Sequence, residues 1–210
     1  MSADPVARWR ALAGENTLPS ARGGSLAWWG MLIGVLTEGT LFAVLIASYF
    51  YLRWHNQDEG SGWPPDGMPD PKLLRPSVYT AVIIAGGATM ALAQLAARRG
   101  RQPALNLLLT ATLVTGLLFL GLLAWDLAEK TREFTPQTNA YGSLVYVLDG
   151  LHGAHVAVGV LLLGWVTARA WRGTYAGGPH VAVSVAALYW HFVVAVAVLV
   201  YLTVVISPYL

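Results

Sequence analysis

Five long apolar runs govern what this chain can fold into. They cover residues 28–51, 78–97, 105–124, 143–167 and 181–206, and none holds more than one Asp, Glu, Lys or Arg. A helix rises 1.5 Å per residue, so about 20 apolar residues cross a hydrocarbon layer about 30 Å thick. The runs are continuous, not alternating, and far exceed the 9–11 residues or so of a barrel strand. The expected fold is therefore all-α, a polytopic membrane protein with five transmembrane helices. Composition agrees: 11% of residues are charged and 56% hydrophobic, where a soluble surface calls for roughly 25% charged. A net charge of +2 excludes a nucleic-acid partner, and the absence of cysteine excludes disulfides, thiolate nucleophiles and Cys-ligated metals.

Five crossings place the termini on opposite sides. Arg8, Arg10, Arg22, Arg98, Arg99, Arg101, Arg169 and Arg172 share the N-terminal side, against Arg53, Lys72, Arg75, Lys130 and Arg132 on the other. The positive-inside rule then puts the N-terminus in the cytoplasm and the C-terminus outside. The acids are sorted the opposite way, with Asp4 and Glu15 inside and Asp58, Glu59, Asp66, Asp70, Asp126, Glu129, Glu133 and Asp149 outside. Residues 1–27 read as a polar cytoplasmic tail with a short interfacial helix around Trp9, and residues 28–210 as the membrane domain. Residues 55–76 are too rich in proline and glycine for a helix and read as an external loop.

An ionisable group inside the bilayer is expensive and by default a functional suspect. Glu38 is the clearest, about 15 Å into the first span if the helix begins at Trp28. His155 and His191 fall at a similar depth on the fourth and fifth spans, with His152 one turn further out. Together the four could line one polar cleft or proton-responsive network; singly, each could be a satisfied group that locks packing. Asp149, His152 and His155 recur every three residues, which suggests that Asp149 pairs with His152 and favours the charged imidazole. A bis-histidine haem site or a zinc site are the metal alternatives, but no Glu-x-x-His pair supports a di-iron centre. The small residues of "AGGATMALA" and "GLHGAHVAVG" let helices approach closely, and Trp28, Trp29, Tyr49, Tyr51 and Trp54 read as interfacial anchors.

The segments "YGSLVYVLDGLHGAHVAVG" at 141–159 and "YWHFVVAVAVLVYL" at 189–202 carry a family resemblance. His180, eleven residues before His191, and "TEGTLFAVLIASYFYLR" around Glu38 extend it across the chain from Trp28 onward. The sequence resembles subunit III of the haem–copper oxidases, in the short five-helix bacterial form. Departures are Val194 where the family has aspartate, Ser184 where it often has glutamate, and Asp149 where it has threonine.

The resemblance implies a V-shaped helical bundle in a bacterial plasma membrane, with no redox centre of its own. It implies partners in oxidase subunits I and II, which carry the haem and copper, with a small subunit IV and a respiratory supercomplex as further candidates. It also implies phospholipid held in the cleft, support of proton uptake, and stability of the catalytic subunit. Glu38 takes the place of the family's carbodiimide-reactive glutamate, and Arg169 that of a basic residue contacting lipid phosphate. A plain positive-inside anchor is the alternative for Arg169. A quinol oxidase or nitric oxide reductase subunit, a haem-b anchor of a quinone-linked dehydrogenase and an independent proton-coupled transporter are the competing functions.

Overall fold

A computed structural model of the chain describes residues 25–58, 62–69, 71–175 and 180–210. Most of the expected tail, including Arg8, Trp9, Arg10 and Arg22, lies outside the described residues, as do Glu59 and Asp70 of the loop. Five long helices follow in order: α1 (Leu26–Asp58), α2 (Leu74–Arg98), α3 (Gln102–Lys130), α4 (Ala140–Trp171) and α5 (Val181–Tyr201). A π turn over Leu202–Ile206 and a 3-10 turn over Ser207–Tyr209 extend α5. Each span is long and apolar enough to cross a membrane. We call the end bearing Arg98 and Arg169 inner and the end bearing Lys130 outer, following the charge bias.

The helices outrun their apolar runs, because polarity alone does not stop a backbone ladder. Residues 55–58, read from the sequence as loop, continue α1, and Pro76 sits in the first turn of α2. A proline is tolerated there because the first N–H groups of a helix lack acceptors anyway. Two of the helix starts carry side-chain caps. Ser25 accepts from the Trp28 amide at the start of α1, and the Asn139 side chain accepts from the Gly142 amide at 2.8 Å to open α4. At the inner end, α2 and α4 both close in a Schellman turn with glycine in the left-handed region. Gly100 (φ +64) and Gly173 (φ +75) allow Arg101 to donate to Ala96 O and Thr174 to Arg169 O.

Helices α2, α3, α4 and α5 pack as a ring in which α5 also touches α2. At its centre sits the fully buried Trp190 of α5. A Cβ built on Gly116 of α3 would lie 2.6 Å from the Trp190 ring, and one on Gly159 of α4 would lie 3.2 Å from it. A Cβ on Gly86 of α2 would approach the indole nitrogen to 3.4 Å. Three helices thus place glycine where a fourth places tryptophan.

Helix α1 stands beside the ring, touching α4 and α5. Only Phe42 and Tyr49 of its described side chains are buried. Tyr49, expected as an interfacial anchor, is instead fully enclosed; it lies two turns after Phe42, on the face that meets the ring. Its hydroxyl accepts from the Trp63 indole N–H at 3.0 Å, and its ring lies near Tyr141. Arg53 donates to the Ser207 carbonyl at 2.7 Å, tying α1 to the end of α5. Trp29, Tyr51 and Trp54 are exposed, as interfacial anchors require.

The glycine socket makes a sharp prediction. Gly116→Ala should destabilise the bundle by about 1–3 kcal/mol through overpacking. Gly121→Ala, where a Cβ meets nothing within 4 Å, should leave the thermal midpoint of the purified chain unchanged.

Candidate functional site

The three mid-span histidines face different surroundings. His155 of α4 meets Glu38 of α1, with 3.1 Å between imidazole Nε2 and carboxyl Oε2. Its Nδ1 lies 2.8 Å from the Leu151 carbonyl. A carbonyl only accepts, so Nδ1 must carry a hydrogen. The Nε2–Oε2 contact then needs one more proton, held either as a carboxylic acid facing a neutral ring or as a carboxylate facing an imidazolium. The pair is a one-proton device whichever atom carries it. The Tyr189 hydroxyl donates to the His155 carbonyl, and the Phe42 ring packs edge-on against the imidazole at 5.1 Å.

Glu38 is not sealed in. Its side chain is 45% exposed while that of His155 is 12% exposed. Both border a cavity of about 350 Å³ between α1, α4 and α5, whose walls are otherwise mostly apolar: Met31, Gly34, Val35, Ala154 and Val158. The polar pair therefore faces whatever lies alongside the bundle.

His152 lies one turn along α4 and is 3% exposed. Phe119 packs on it at 5.4 Å and Phe42 at 6.5 Å, and neither ring nitrogen has a hydrogen-bond partner. The expected Asp149–His152 pair is not formed. Asp149 instead bonds the Lys130 ammonium at 2.7 Å, and Lys130 also reaches Asp126 at 2.9 Å. A full charge on α3 outcompetes a neutral ring on the same helix as Asp149. In the sequence Lys130 stands among outer-side charges; the signal for the triad is the Asp126–Lys130 spacing of four, which puts both on one face of α3 just beyond its apolar run. Beyond this triad, Lys72 and Arg75 pair with Glu129, and Lys72 also with Glu133.

His191 looks inward. It borders a cavity of about 450 Å³ at the inner ends of α1, α2 and α5, with Ser25, Gln94, Arg98, His180 and Ser184. Ser184, where a glutamate is often found in the resembled family, leaves this cavity with Arg98 and no described carboxylate. The sequence thus places four groups at one depth, but the structure divides them among three environments. Arg169 is exposed at the inner end of α4, with its guanidinium 5.1 Å over the Trp165 ring. Nearby, burial pushes the Tyr175 phenol up from its ordinary pKa, and the Arg169 charge opposes that shift. Among the described residues no three His, Asp or Glu side chains form a metal-holding group.

Comparison with known sequences gives one answer. Residues 5–208 match the family described as "Cytochrome c oxidase subunit III". A "Cytochrome c oxidase subunit 3" from Synechocystis sp. is 31% identical over 180 residues, covering 85% of this chain and 75% of that protein. The protein of the same name from Thermostichus vulcanus is 30% identical, covering 78% of this chain and 79% of its own. That from Lumbricus terrestris is also 30% identical, over 84% of this chain and 68% of its own.

The buried triad can be tested directly. Lys130→Met should destabilise the chain by about 3–5 kcal/mol, because it strands two carboxylates without a counter-ion. A triple variant with Asp126→Asn and Asp149→Asn added should recover most of that loss. Unfolding of the purified chain in a denaturing detergent titration measures both.

Proposed function

Because this chain belongs to the cytochrome c oxidase subunit III family, we propose that it is an accessory subunit of a bacterial haem–copper oxidase that reduces dioxygen to water. In this reading it holds phospholipid and sustains proton uptake and turnover stability of the catalytic subunit. Family membership makes the chain part of an oxidase complex, associated with the other oxidase subunits. Haem and copper belong, in this reading, to subunits I and II, and phospholipids are its ligands.

The observation that carries the proposal is the Glu38–His155 pair. It keeps one proton between its members, and it opens on an apolar cavity at the edge of the bundle. Such a pair can shift its proton between carboxyl and imidazole while staying neutral overall, which makes it tolerable at this depth. At the inner end, exposed Arg169 beside Trp165 and exposed Trp171 offer a guanidinium and two indoles at headgroup level. An arginine can donate two parallel hydrogen bonds to a phosphate. Arg98 borders the inner cavity and supplies the same chemistry on the α2 side.

Replacing Glu38 tests the proposal in the assembled complex. Glu38→Ala and Glu38→Gln should leave the initial oxidase rate close to that of the unaltered complex and shorten the lifetime over successive turnovers several-fold. Normal lifetime, proton uptake and lipid content in both variants would make Glu38 a packing residue and sink the reading.

A further inference from the structure

The outer half of the bundle contains a second polar site that the Glu38–His155 pair does not use. Its charged part is the Lys130 ammonium shared between Asp126 and Asp149, with all three side chains less than one-fifth exposed. Its uncharged part is His152, buried and with both ring nitrogens unpartnered. A neutral imidazole has one donor and one acceptor to satisfy. His152 and Asp149 both border a small void of about 20 Å³, lined also by Tyr79, Phe119, Ala197 and Tyr201. That is room for one water molecule, and a buried water needs two or more polar partners of the kind these two side chains supply.

The void is joined to the outer surface through the ion pair. On the far side of Lys130 a second cavity, of about 40 Å³, is bordered by Asp126, Glu129, Lys130 and Glu133 and by the half-exposed Lys72. On the opposite side Phe42 lies edge-on to both rings, 6.5 Å from His152 and 5.1 Å from His155. The titratable groups facing this region are Tyr79 on α2, Asp126 and Lys130 on α3, and Asp149 and His155 on α4. Tyr201, at the end of α5, is engaged with Ser77 at 2.7 Å.

We propose that the void between Tyr79, Asp149 and His152 is a hydrated proton-exchange site, in which a water molecule bridges the His152 imidazole to the Lys130–Asp149 ion pair and is replenished from the outer surface. In this proposal exchangeable hydrogens run from the Lys130 ammonium, which borders the outer cavity, through Asp149 and the water to a histidine inside the bilayer. The line ends at His152, whose ring makes no hydrogen bond to His155 or Glu38.

The full chain in lipid nanodiscs, labelled with ¹⁵N at histidine and tryptophan, tests this by solid-state NMR. Trp190 is the internal control: its indole nitrogen is equally buried and unpartnered, but it does not border the void. Magnetisation should pass from water to the His152 ring nitrogens, and deuterium exchange of the His152 N–H, slowed relative to free imidazole, should be at least about tenfold less retarded than that of the Trp190 indole relative to free indole. Ala197→Leu, which grows a side chain into the void, should retard His152 exchange as strongly as that of Trp190. A His152 ring without water contact and retarded as strongly as Trp190 in the unaltered chain would overturn the proposal. So would unchanged exchange in a folded Ala197→Leu variant. If that variant fails to fold, the measurement on the unaltered chain decides alone.

Discussion

The fit of one indole against three glycines is the constraint on which the rest of the bundle depends. Lipid tails are as apolar as leucine, so helices in a bilayer gain little by hiding apolar surface from one another. What holds them is close contact, and close contact needs complementary shapes. Trp190 supplies the volume, Gly116 and Gly159 remove the atoms that would crowd it, and Gly86 makes room for Thr115 beside the indole. Because the three glycines lie on three helices, one side chain sets the spacing of the whole ring. That spacing positions α4 against α1, and so the distance from His155 to Glu38.

Polar groups are then distributed by what each helix face meets. Glu38 and His155 sit at the α1–α4 seam, where they satisfy each other and still border a cavity. Lys130, Asp126 and Asp149 sit within the ring near its outer end, where only mutual neutralisation makes burial tolerable. His191 faces the inner cavity beside Arg98. Each buried charge therefore has its answer on a different helix or a different turn, and the ion pairs add registration between α3 and α4 that apolar packing alone would leave loose.

The spans were legible because hydrophobic length is a property of the linear chain. Helix ends were less so: residues 55–58 are polar yet helical, and no proline or glycine falls among them. Depth was also readable, which is why Glu38, His155 and His191 could be grouped. Azimuth was not. Three residues turn a helix by about 300°, so His152 and His155 nearly share a face, yet one Phe42 ring inserted from α1 gives them different surroundings. The Asp149–Lys130 bond joins residues nineteen apart on separate helices, a relation that no local spacing expresses. The tyrosine–tryptophan–histidine run at 189–191 was visible as a motif. Its mechanical meaning required three other helices to be placed around it.

The position of α1 carries a consequence for assembly. The ring closes through contacts among α2, α3, α4 and α5 alone, while α1 leans on its flank through Phe42, Tyr49 and the Glu38–His155 bond. Construction of the bundle is thus divisible in time: the later four helices can reach their final arrangement before the first docks. Docking is then reported chemically, because a seated α1 brings the Glu38 carboxyl to His155. A histidine left without that partner is the mark of an unfinished subunit.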